Sequence, residues 1–411
     1  MPAFYRVIAV QFVSALADNA LLIVAIARML ELAAEAWTVP LLKLSFTLCY
    51  VFLAPFVGAL ADAWPKGRVM VAANLLKALA AALLVAGSDP MLALALAGLG
   101  AAVYAPAKYG LITEMLPADQ LVRANGYIEG STVCAALLGT VLGGALVSPQ
   151  LRNLLPPELA VAVGATPTSL HAGMLGLLLL YLLAALLNAS VPDSGVRYPR
   201  HSFHAVYLVR RFFQENLTLW RDPLGGVSMA VTTLLWGIGA TLQLVVLRWA
   251  ESALGLALSQ AAYLQGVTAV GVIAGATLAS QMLRLEQATR VLPLGIAMGL
   301  LVPCMVGVHS LGWAAGLLML VGGLAGFFVV PMNALLQHRG QQLLTAGRSI
   351  AVQGFNENAG ILLMLSLYAA ATALRLELHQ LLWCFGLLVA VTMGLITLRH
   401  HRARAELAAL S

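Results

Sequence analysis

The chain has 411 residues, of which 61% are hydrophobic and 10% charged, and its mean hydropathy is +0.91. So few charges exclude a soluble domain, and long continuous apolar runs exclude the short alternating strands of a β-barrel, which leaves a polytopic helical membrane protein. The net charge of +6 sits between the apolar runs, so it reads as membrane topology and not as a nucleic-acid surface.

Runs of about 20 apolar residues predict twelve transmembrane helices. The first six cover 4–30, 39–62, 69–87, 90–116, 122–148 and 169–191, and the second six 223–250, 257–283, 288–308, 311–337, 344–373 and 376–399. Four parts follow: an N-terminal six-helix bundle over 1–191, a linker over 192–222, a C-terminal six-helix bundle over 223–400, and a tail over 401–411. Asp18 and Asn19 interrupt the first run, which argues against a cleaved leader. A carboxylate at the bilayer centre costs roughly 2.5–3.5 kcal/mol, so Asp18 is expected to face a bundle interior or a wet cavity. In the linker, Val206, Val209, Phe213, Leu217 and Trp220 recur at helical spacing, opposite Arg211, Gln214, Glu215, Thr218 and Arg221. They predict an amphipathic helix on the cytoplasmic surface, serving as a plain connector or as a lipid-sensing element.

Charge fixes the expected orientation. With both termini in the cytoplasm, sixteen Lys and Arg fall at cytoplasmic helix ends. Five (Arg28, Lys43, Arg152, Arg248 and Arg375) fall on the other side. Lys77 and Lys108 lie inside helices 3 and 4. The halves echo each other: Pro106 with Lys108 in helix 4 matches Pro331 with Asn333 in helix 10, Arg123 matches Arg348, and Glu129 matches Glu357 in the next helix of each half. Twelve spans, a central linker and an internal repeat mark a secondary transporter with its site between the halves near mid-membrane.

Other chemistry is missing from the pattern. Cys49, Cys134, Cys304 and Cys384 show no paired spacing and read as packing residues. There is no G-x-x-x-x-G-K-[ST] string. His201 with His204, and His400 with His401, lack the carboxylate or cysteine context of a metal site. An intramembrane enzyme would need a nucleophile or metal cluster that the residues do not offer, so no enzyme, cofactor or metal is expected. Glycine pairs Gly139/Gly143, Gly271/Gly275, Gly295/Gly299 and Gly322/Gly326 read as tight helix crossings.

Between helices 2 and 3 stands Gly58-Ala59-Leu60-Ala61-Asp62-Ala63-Trp64-Pro65-Lys66-Gly67-Arg68. Gly58 lets helix 2 approach a neighbour closely. Asp62 lies at the C-terminal end of its helix, where the dipole disfavours a negative charge. Arg68 or the N-terminus of a facing helix would satisfy it. The loop resembles the signature of the major facilitator superfamily, G-x-L-x-D with a later basic residue. That resemblance implies that the facing helix is helix 11, near Thr345 to Ser349, and that Gly58, Asp62 and Arg68 act as a gating latch. It also implies that helices 1, 4, 7 and 10 line the central cavity, offering Asp18, Asn19, Lys108, Gln243 and Asn333, with Glu129 and Glu357 added from helices 5 and 11. Lys108 and Glu129 lie at equal depth, so Lys108 reads either as a phosphate contact or as half of an internal ion pair. Arg248 reads as an i,i+3 pair with Glu251.

Further strings are similar to the bacterial lysophospholipid transporter family within that superfamily. They are Gln11-Phe12 with Ser14 to Leu21, Ala54 to Gly58, Lys66 to Met70, Ala105 to Gly110, and Arg123 to Gly126 with Glu129. The second half adds Trp236-Gly237 through Thr241-Leu242, Phe327 to Pro331, Asn333 to Gln337, and Ala351 to Gln353 with Glu357-Asn358. The resemblance implies a facilitative flippase moving lysophosphatidylethanolamine and related lysolipids from the outer to the inner leaflet of a bacterial inner membrane. It implies rocker-switch alternating access, a monomer among membrane lipids, and an acyltransferase/acyl-carrier-protein synthetase as functional partner. In one place the chain departs from the family pattern: Gln243 stands where the family has an arginine. Lys108 then carries more of the phosphate contact, or the headgroup preference differs. The alternative is a proton-coupled exporter of amphipathic small molecules, using the same carboxylates as proton relays.

Overall fold

A computed structural model describes residues 2–33, 39–152, 170–198, 204–256 and 258–410. Arg200 and His201 lie outside the described residues. The described chain is helical, without a strand. The first six long helices are α1 Pro2–Glu31, α2 Val39–Ala63, α3 Lys66–Val85, α4 Pro90–Met115, α5 Leu121–Leu146 and α6 His171–Ala189. A linker helix, Ala205–Arg221, follows. The second six are α7 Pro223–Leu254, α8 Leu258–Met282, α9 Leu292–Leu301, α10 Leu311–Leu343, α11 Ala346–Ala373 and α12 Leu378–Leu410.

Among the described residues, eleven segments are helical, long and apolar enough to cross a membrane. The remaining expected span is α11. It is 28 residues long, but its first half carries Gln353, Asn356, Glu357 and Asn358. The ninth span is not one continuous α-helix. The ten residues of α9 are flanked by 3₁₀ segments Leu285–Val291 and Val302–Gly307. Pro293 and Pro303 each remove a backbone donor, which disfavours a longer α-helical ladder.

The chain packs as two compact units, and each draws on both sequence halves. The first unit comprises Met1–Met115, Cys134–Glu215 and Leu344–Phe355. The second comprises Leu116–Val133, Asn216–Leu343 and Asn356–Ser411. The core of the first is small and aliphatic: Ala17, Leu21, Val24, Ala78, Ala81, Leu94, Met174 and Leu177 are buried together. In the second, α8 and α10 interlock through their glycine pairs. A Cβ on Gly275 would strike the carbonyl of Gly323, and one on Gly322 would strike that of Thr268. These crossings are the close backbone approach that small residues permit.

Of the expected apolar stripe of the linker helix, Val209 and Trp220 are half-buried, and a second stripe packs inward beside it. Leu208, Phe212 and Leu219 are buried, whereas Val206, Phe213 and Leu217 are 71%, 54% and 47% exposed. Phe212 meets the Phe355 ring edge-on at 5.3 Å. The helix carries two apolar stripes, and periodicity alone cannot say which one packs inward. Further fastenings are Glu215 to Arg348 at 2.7 Å, and Asn356, which accepts from Trp220 at 3.0 Å and donates to Asn216 at 2.9 Å. The linker helix therefore lies along the first half of α11.

Candidate functional site

In the first unit, a polar cluster sits at mid-length of α1. Lys77 Nζ of α3 lies 2.7 Å from Asp18 Oδ2 and donates to Ser14 Oγ at 3.2 Å. Tyr181 of α6 donates its hydroxyl to Asp18 Oδ1 at 2.9 Å. Ser14 in turn donates to Asn74 Oδ1 at 2.8 Å. The Lys77 ammonium stands 5.2 Å from the Tyr104 ring centroid. Lys77 is 1% exposed, while the Asp18 side chain keeps 18%. The ion-pair partner of Asp18 is therefore Lys77. Asn19 donates to the carbonyl of Ala15 within its own helix at 2.8 Å. Lys108 is buried on α4, 3.3 Å from Gln11 Oε1 and 4.1 Å from the Tyr109 ring centroid.

The other predicted polar residues belong to the second unit. Glu129 of α5 accepts from Asn333 of α10 at 3.1 Å. One turn away, Asn125 and Gln337 exchange two hydrogen bonds at 2.9 and 3.0 Å. All four are buried, so an antiparallel amide ladder ties α5 to α10. Glu357 is half-buried on α11. Gln243 of α7 donates to Gln265 Oε1 of α8, and Gln265 donates back to the Gln243 carbonyl, each at 2.9 Å. This clasp lines a cavity of about 400 Å³ whose other walls are largely apolar, among them Leu235, Leu242, Val246, Met298 and Val389. Arg248 and Glu251 do not form the expected ion pair; Arg248 uses its carbonyl to accept from Ser252 at 2.9 Å.

The residues expected to form a latch, Gly58, Asp62 and Arg68, lie in the first unit. Asp62 accepts from Thr345 Oγ1 and, at 2.9 Å, from the Gly347 amide at the start of α11. The facing N-terminus supplies what the C-terminal end of α2 lacks. Gly58 makes this approach feasible: a Cβ there would stand 2.9 Å from both Ala351 Cβ and Arg348 Cα. The cation beside Asp62 is Lys66, at 3.6 Å, which also pairs with buried Glu114 at 2.5 Å. Arg68, the expected cation, is exposed and lines an outer groove with Asp193 and Arg197. Lys66 opens α3 on the side facing α4, and a two-residue offset turns Arg68 away from it. The connecting segment closes over the pair, with Ser194 donating to Glu114 at 2.6 Å. Hydrogen bonding to Arg197 holds the Asp193 carboxyl below its ordinary value, and burial together with the Glu114 charge pushes the Tyr198 hydroxyl up.

Residues 7–365 match the family model of the Major Facilitator Superfamily. The lysophospholipid transporter LplT of Citrobacter koseri is 38% identical over 397 residues, covering 96% of this chain and 95% of its own. That of Pectobacterium carotovorum is 39% identical over 369 residues, covering 90% and 86%, and that of Escherichia coli is 38% identical over 388 residues, covering 94% and 93%. The chain belongs to the lysophospholipid transporter family of the Major Facilitator Superfamily. Its fold resembles the crystal structure of the superfamily transporter FucP, with a TM-score of 0.71 at 15% identity over 97% of both chains. It matches a bacterial homologue of the iron transporter ferroportin equally well, at 0.71 and 15% over 98% and 100%. At such identities the likeness speaks for the fold alone.

For this family member, sequence reasoning overlooked Lys77, Tyr181, Asn125, Gln337 and Gln265. Lys77 carried a signal, since a cation deep in an apolar run needs an anion as much as Asp18 needs a cation. The amides carried less, because an uncharged side chain in a span is cheaper to place and draws no attention in a hydropathy count.

Proposed function

We propose that this protein is a facilitative flippase that moves lysophosphatidylethanolamine and related lysolipids from the outer to the inner leaflet of a bacterial inner membrane. The near full-length identity to relatives named lysophospholipid transporters carries this reading. The geometry supports it. A lysolipid has a charged head, and the first unit offers a sparse polar cluster around Asp18 suited to meet it. In this scheme Asp18 and Asn19 anchor the head and Lys108 contacts phosphate. Gln243, Asn333, Glu129 and Glu357 tune the polarity around it. The moving bodies are the two six-helix halves, 1–191 and 223–400, rocking about the site as a monomer with both termini cytoplasmic. Release to the inner leaflet requires Asp62 to leave Thr345 and Gly347. An acyltransferase/acyl-carrier-protein synthetase then restores the missing chain, and that removal of product drives net inward movement.

The test is a leaflet-resolved assay in liposomes with labelled lysophosphatidylethanolamine and no proton gradient. Inward flipping is expected. Movement that appears only with a gradient would instead favour a proton-coupled exporter, for which the buried Asp18–Lys77 pair would be the relay.

A further inference from the structure

We infer that Lys77 is the positioning residue of the headgroup site, holding the Asp18 carboxylate turned so that part of it stays open to a lipid head. The inference rests on the flippase reading for the identity of the ligand, but not for the pairing itself.

Lys77 stands eleven residues into α3, which is roughly 16 Å along the helix, so its stem cannot carry the ammonium out to either surface. It is 1% exposed, and a ligand cannot reach it, whereas Asp18 keeps 18% of its side chain open. Of the two, only Asp18 can touch a substrate, and Lys77 must act through it. The two carboxylate oxygens are engaged separately: Lys77 takes Oδ2 at 2.7 Å and Tyr181 takes Oδ1 at 2.9 Å. Two donors from different helices fix the rotation of the carboxylate, and each oxygen retains a lone pair for a further donor. A headgroup ammonium is such a donor.

The ammonium of Lys77 is itself held from several sides. Ser14 Oγ accepts at 3.2 Å, the Tyr104 ring faces it at 5.2 Å, and Gly100 of α4 leaves room for its stem, since a Cβ there would stand 2.7 Å from Lys77 Cγ. Ser14 is oriented by Asn74, one turn before Lys77 on α3. Four helices thus converge on one ion pair. Such support is what keeps a charged group pre-organised in an apolar setting, where an uncompensated charge is costly.

This arrangement changes what a single substitution can report. Asp18→Asn removes the carboxylate but also strands the buried Lys77 charge, so lost transport could reflect damage to the bundle. The decisive set is Lys77→Met, Lys77→Arg, Asp18→Asn and the double Asp18→Asn/Lys77→Met. Each would be measured for KM and maximal rate of lysophosphatidylethanolamine flipping in liposomes, and for thermal unfolding in detergent. Lys77→Met is expected to raise KM by about tenfold or more, and Lys77→Arg to recover most of that loss. The double variant should unfold at a higher temperature than either neutralised single, because no lone charge remains, and should still fail to transport.

Wild-type kinetics in Lys77→Met would overturn the inference. So would a double variant that transports like wild type, which would make the pair a structural strut only. Additive thermal shifts in the cycle would show that the two residues are not coupled. If the wild-type protein moves no lysolipid at all, the flippase reading falls, and the thermal cycle alone then decides the pairing.

Discussion

Gly58 shows how much one missing Cβ can decide. Its absence lets α2 rest on the α11 backbone closely enough for Asp62 to reach Gly347. In Gly58→Ala the methyl would meet Arg348 Cα, which cannot swing aside as a side chain would. Overpacking of this kind costs about 1–3 kcal/mol, so weaker latching and a several-fold lower transport rate are expected, and an unchanged rate in liposomes would count against a tight latch. A second residue-scale prediction concerns Asp222. It caps α7 by accepting from the Gly225 amide at 2.7 Å and pairs with Arg339. Burial opposes its charge, but Arg339 and the Gly225 amide outweigh burial and leave the carboxyl below its ordinary value. Stabilisation from this group is therefore complete above the ordinary carboxylate value of about 3.9 and is lost as the pH falls through the lower folded value. Asp222→Asn should remove that acid-dependent part from a series of melting curves. At this scale Asp18 was legible in the sequence and its partner was not. The two residues are 59 positions apart, and a span count carries no information on which faces meet.

At the scale of elements, the α5–α10 ladder makes a sharper prediction than any single charge. Asn125→Ala would leave the buried Gln337 amide without its partner, at a cost of about 1–3 kcal/mol. Replacing both by leucine removes the polar pair together and should come close to neutral in thermal unfolding. A double variant as unstable as the single would show that the ladder does more than satisfy its own atoms. Helix existence and approximate ends were readable from apolar length, because each span must satisfy its own backbone in lipid. Two element features were not. The ninth span breaks into 3₁₀ turns around its prolines, and the linker helix packs through Leu208, Phe212 and Leu219. Both outcomes depend on neighbours: a helix with two apolar stripes buries the one that finds Phe355 and α11.

For the whole molecule, charge asymmetry predicts both termini in the cytoplasm. A phosphatase that is active only outside the cytoplasm should be inactive when fused after Ser411, and a fluorescent protein there should fold and emit. Activity of the phosphatase would reverse the orientation. The internal repeat was visible in Pro106 and Pro331, and both prolines do lie inside their helices, α4 and α10. Arg348 pairs with Glu215 of the linker helix, whereas Arg123 stands 5.8 Å from the Tyr127 ring centroid.

The sequence by itself determined the class, the order of the apolar runs, and the positions where polar groups interrupt the membrane. These follow from transfer free energies, which are properties of single residues summed along a run. The tertiary structure decided which interruptions meet: Asp18 with Lys77 and Tyr181, Glu129 with Asn333, and Asp62 with Lys66 and the start of α11. Pairing depends on distance and orientation between helices far apart in the chain, and hydropathy, which has no direction around a helix axis, cannot supply either.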